Sequence, residues 1–154
     1  MTKASVRKDI MRLARVQLFT LIPFMLLKSY RQELIAAFPN DVWEVFLYSF
    51  PNFAEAIVGM MFLASAGVYL LHSTSGNPRR LPLVYLLATV GTLTYVITQE
   101  LKWHSIGGEN ITDPWDVAFS VAGTIAGLAI LFYLRPGGSV QESESEIHQR
   151  KPAS

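Results

Sequence analysis

The sequence predicts an all-α membrane protein, a four-transmembrane-helix bundle with a short interfacial helix between helices one and two. Three observations carry that expectation. Residues 53–71, 81–98 and 115–134 are apolar runs of about 18–20 residues, close to the ~20 that cross a ~30 Å hydrocarbon core as helix. The runs are continuously apolar and lack the in/out alternation of barrel strands, so helices are the way to satisfy their backbone groups in lipid. The chain of 154 residues is 51% hydrophobic and 16% charged, with a mean hydropathy of +0.30, which is too apolar for a typical soluble domain.

Taken in order, residues 1–15 read as a basic cytoplasmic N-terminal arm carrying Lys3, Arg7, Lys8, Arg12 and Arg15. A topology signal is the preferred account of these charges, ahead of an amphipathic helix on the anionic leaflet, and no nucleic-acid partner is expected. Residues 16–135 form the membrane domain, with spans at approximately 16–38, 53–71, 81–101 and 114–134. The first span has a short apolar core, 16–27, which Arg15 and Lys28 extend by snorkelling. Pro23 predicts a kink in it, and Pro39 ends it. A basic start before an apolar run also fits a signal peptide. Lys28-Ser29-Tyr30-Arg31 follows, however, without a small-x-small cleavage site, so the helix is read as uncleaved.

Residues 41–50 read as the interfacial helix, with Trp43 and Tyr48 at headgroup level. Pro51-Asn52 is expected to break the chain before the second span. The polar loop ending at Arg80 predicts an antiparallel hairpin of the second and third spans. Residues 136–154 are rich in Gly, Ser and Glu and read as a disordered cytoplasmic tail. There are 0 cysteines, which excludes disulfides and thiolate chemistry.

The formal net charge of +1 says less than its distribution. If all four runs cross, Lys3, Arg7, Lys8, Arg12, Arg15, Arg79, Arg80, Arg135, Arg150 and Lys151 share one side. The other side holds Lys28, Arg31 and Lys102 among Glu33, Asp41, Glu44, Glu55, Glu100, Glu109, Asp113 and Asp116. The positive-inside rule then places both termini in the cytoplasm.

Three outward helix starts repeat one pattern: Asp41 with Glu44, Asn52 with Glu55, and Asp113 with Asp116. Each sets a capping side chain three residues before an acid at the positive end of a helix dipole. Pro114 fits the first helical position. For Asn52 and Glu55, capping is the preferred reading. Glu100 and His104, four apart, share a helix face near the start of the fourth span, where Asp113 and Asp116 approach it. One His with three carboxylates suits a ligand, a divalent metal or an acid–base pair, but it lacks the HExxH spacing of a zinc enzyme. No cofactor or resident metal is expected, and catalysis is the less favoured reading. Gly123 and Gly127 form a small-xxx-small stripe for close helix packing, which leaves homo-oligomerisation open.

Glu100, then a polar loop, then Asp113, Asp116, Ser120, Gly123 and Gly127, resembles the VanZ-like family over residues 85–130. Ser120 stands where that family usually has Asn, and Lys102, Trp103 and His104 stand in a loop that usually carries Gln and Arg. The resemblance implies a small multi-pass protein of the bacterial cytoplasmic membrane, connected with the cell envelope and teicoplanin-type resistance. It also implies ligand-binding candidates at Glu100, Asp113, Asp116 and Ser120, which join His104 from the helix-face reading. The expected partners are membrane lipids, a lipid-linked envelope precursor or other membrane proteins. An accessory subunit of a larger membrane complex and a metal-dependent membrane enzyme are the alternatives.

Overall fold

The computed structural model describes residues 3–74, 77–100 and 114–136. Among these residues all regular structure is helical: α1 (Lys3–Ser29), α2 (Arg31–Ala37), α3 (Asp41–Thr74), a 3-10 turn at Pro78–Arg80, α4 (Leu81–Glu100) and α5 (Pro114–Leu134). Four of them, α1, α3, α4 and α5, are long and apolar enough to cross a membrane.

The basic segment is helical from Lys3 and forms the first turns of α1, which continues through Pro23. Val6, Asp9, Leu13 and Phe24 are buried along its inner face, at helical spacing. The helix stops at Ser29. Tyr30 donates its amide to the Leu26 carbonyl at 3.0 Å, and the next turns form a separate helix, α2. Phe38 closes α2 by donating to Leu34 at 3.0 Å, just before Pro39.

The short helix is therefore at Arg31–Ala37 and not at residues 41–50. Residues 41–50 are the opening turns of α3, which runs without interruption through Pro51 to Thr74. At 34 residues, α3 is about 51 Å long. Its cap is Asn40 and not Asp41: Asn40 Oδ1 accepts from the amides of Val42 at 2.9 Å and Trp43 at 3.4 Å. The expected cap at Asn52 does not exist, because no helix begins there.

Pro51 removes a backbone donor from the helix interior. A row of rings bridges the site. The Phe46 and Phe50 centroids lie 5.4 Å apart and those of Phe50 and Phe53 5.9 Å apart, while Phe119 of α5 meets Phe46 edge-on at 6.1 Å. Such pairs contribute about 0.5–1.5 kcal/mol each, together comparable to the roughly 3 kcal/mol cost of an interior proline.

α3 lies at the centre and packs against α1, α4 and α5. The main core joins Leu13 of α1, Ile57, Met60, Met61 and Ala64 of α3, Tyr85 and Ala88 of α4, and Leu131 of α5. A second cluster joins Val6, Val68, Leu71 and Leu81, so the start of α1, the end of α3 and the start of α4 share one end. The end of α5 is tied to the same corner: the Tyr85 hydroxyl donates to the Pro136 carbonyl at 2.9 Å. Arg135 closes α5 in a left-handed conformation, φ 43°, with its amide donating to Leu131 at 2.9 Å. This end carries Arg7, Lys8, Arg79, Arg80 and Arg135. The opposite end carries α2 and the starts of α3 and α5, with Glu33, Asp41, Glu44 and Asp116 beside Lys28 and Arg31.

Gly123 and Gly127 of α5 face α3. A methyl group at Gly123 would overlap the Phe53 carbonyl oxygen and come to 3.0 Å from the Ala56 Cβ. At Gly127 it would come to 3.1 Å from the Met60 side chain. The stripe thus serves packing inside the chain.

Candidate functional site

Of the residues singled out from the sequence, Glu100 is the last residue of α4. His104 and Asp113 lie outside the described residues. Asp116 is in the first turn of α5, partly buried, where a carboxylate opposes the positive end of the helix dipole. Ser120 is buried one turn later, and its carbonyl accepts from the Thr124 hydroxyl at 2.9 Å. Among the described residues no three His, Cys, Asp or Glu side chains gather as a metal site.

A different carboxylate lies in a cavity. A cleft of about 550 Å³ opens between α1, α3 and α4. Its polar lining is Gln17 from α1, Glu55 from α3, and Tyr95 and Gln99 from α4. Leu21, Phe24, Val58 and Phe62 supply apolar walls. Each helix contributes one face: Gln17, Leu21 and Phe24 are spaced by four and three, Glu55, Gly59 and Phe62 likewise, and Tyr95 and Gln99 by four. Gly59 has open space where a side chain would be, which leaves the floor of the cleft uncovered.

The depth of Glu55 is set by its neighbours. Phe53 and Ala56 flank it in the chain and meet Gly123, nine positions beyond the start of α5 and hence about 13 Å along that helix. Glu55 is therefore level with the middle of α5, while Gln99, which shares its cleft, is the next-to-last residue of α4. It is partly buried, and among the described residues it makes no hydrogen bond or ion pair. The capping role expected for it is replaced by a place in a polar cleft amid apolar helices. A carboxylate at such depth needs a bundle interior, water or a partner, and it commonly marks a site.

The signal for this cleft was present as three polar interruptions of apolar runs, Gln17, Glu55 and Gln99. Nothing local said that they converge. Neither Asp116 nor Ser120 lines the cleft.

No protein-family model, curated protein or solved structure matches the chain.

Proposed function

We propose that the chain is a non-enzymatic, multi-pass protein of the bacterial cytoplasmic membrane. In this reading its central cleft holds the hydrogen-bond-donating end of a lipid or lipid-linked envelope precursor. The observation that carries this reading is Glu55, an acid within α3 in a cleft shared with Gln17, Tyr95 and Gln99. A carboxylate only accepts hydrogen bonds when ionised, whereas the two amides and the phenol both donate and accept. The set suits an ammonium group or the hydroxyls of a sugar, with the apolar walls contacting the attached chain.

All four apolar helices cross in this reading, and the Arg-rich end faces the cytoplasm with both termini. The VanZ-like positions Glu100, Asp113, Asp116, Gly123 and Gly127 support the envelope setting and its connection with teicoplanin-type resistance. Glu100 directly follows Gln99, so one of these acidic positions adjoins the α4 wall of the cleft in sequence.

The test is thermal unfolding of the whole protein in nanodiscs of choline phospholipid, with an alkylammonium or an alkyl glycoside added. Either donor probe should stabilise the wild type and leave Glu55→Gln unchanged, while the two proteins unfold at similar temperatures without probe. Equal response of both proteins to the probes defeats the reading. So does a large loss of stability in Glu55→Gln before any probe is added, since the carboxylate would then be structural.

A further inference from the structure

We propose that a second groove, between the first turns of α1 and the last turns of α3, binds the phosphate headgroup of an anionic phospholipid from the cytoplasmic leaflet. The inference rests on the spanning topology above and not on the Glu55 cleft. The groove has a volume of about 670 Å³. Ile10, Met11 and the Tyr69 ring form its apolar side, and Arg7, His72 and Ser73 form its polar side. This is the two-part lining that a phospholipid requires, acyl chain on one side and headgroup on the other.

Charge selects the sign of the occupant. Arg7 is exposed and forms no ion pair among the described residues, whereas Arg12 is 4.0 Å from the Asp9 carboxylate. Asp9 itself is buried, 3% exposed, and does not line the groove. Lys8, Arg79, Arg80 and Arg135 lie at the same end of the bundle. The positive end of the α1 dipole favours an anion there, while the α3 terminus opposes it. A guanidinium offsets that opposition because it can donate two parallel bonds to one phosphate. The Ser73 hydroxyl already donates to the Leu70 carbonyl at 3.0 Å, so its hydrogen is not available. His72 also lines the groove, and among the described residues its buried Nδ1 has no hydrogen-bond partner. Arg7 is therefore the principal donor, with the His72 ring beside it.

Native mass spectrometry of the full chain, released from nanodiscs containing phosphatidylglycerol and phosphatidylcholine, provides the test. Wild type should retain phosphatidylglycerol preferentially. Arg7→Gln should weaken that retention about tenfold, the equivalent of one charge-assisted hydrogen bond, and Arg7→Lys should weaken it less. Arg79→Gln, which removes the same charge outside the groove, should leave it unchanged. Met11→Trp, which fills the apolar side and keeps every charge, should reduce it. Equal losses in Arg7→Gln and Arg79→Gln would show diffuse attraction and overturn the site. Competition by inorganic phosphate with no effect of Met11→Trp would overturn the lipid in favour of free phosphate. Thermal unfolding of each variant in phosphatidylcholine alone separates these outcomes from misfolding.

Discussion

At Gly123 one methyl group determines how closely α5 can approach α3. The space a Cβ would need is taken by the backbone of Phe53 and by Ala56, and a carbonyl on a helix cannot turn aside as a side chain can. Gly123→Ala should therefore force the helices apart and cost about 1–3 kcal/mol, the range for overpacking a tight contact. Gly59→Ala meets open space and should cost little. Thermal unfolding of both variants in the same detergent checks the contrast, and equal losses would mean that helix propensity, not packing, sets the effect. Close packing at Gly123 and Gly127 could be read from the sequence because small residues four apart share one helix face. The role of Glu55 could not be read that way. Asn52 followed three residues later by Glu55, just after Pro51, has the outward form of a helix start. The helix instead runs through Pro51, and Phe119, far along the chain, packs its ring against Phe46 before the proline.

For the helices as units, apolar run length identified four long elements, and α1, α3, α4 and α5 are those elements. Their boundaries on the α2–α3 side were misread for one physical reason. Proline and a nearby amide look like a break in water, but in an apolar bundle packing can hold a helix through a missing hydrogen bond. The real break falls at Tyr30, where no Gly or Pro marks it. Two measurements check the continuity of α3. The amides of Asn52 to Glu55 should exchange slowly with solvent deuterium, as those of a helix interior do. Pro51→Ala should stabilise the protein by about 1–3 kcal/mol, since alanine restores a donor and removes a ring clash. Fast exchange at these amides, or a destabilised Pro51→Ala, would mean that two helices meet at Pro51 after all.

Over the whole molecule, the charges sort to two ends. One end gathers Arg7, Lys8, Arg79, Arg80 and Arg135, and the other gathers α2 with Glu33, Asp41, Glu44 and Asp116 beside Lys28 and Arg31. That sorting was visible in the sequence once the spans were drawn. The convergence of Gln17, Glu55, Tyr95 and Gln99 was not, because it depends on how three helices rotate about their axes. The chain has 0 cysteines, which makes it a clean background for labelling. Asn77→Cys, in the turn between α3 and α4, should react with an impermeant maleimide only after the membrane is opened. Asn40→Cys, before α3, should react in intact cells, and the reverse pattern would invert the orientation. The phenol of Tyr85 has a further consequence. By holding the Pro136 carbonyl, it joins the residue just beyond α5 to the early turns of α4. Tyr85→Phe would leave that buried carbonyl without its donor, at a cost of about 1–3 kcal/mol, and would untie the end of α5 from α4.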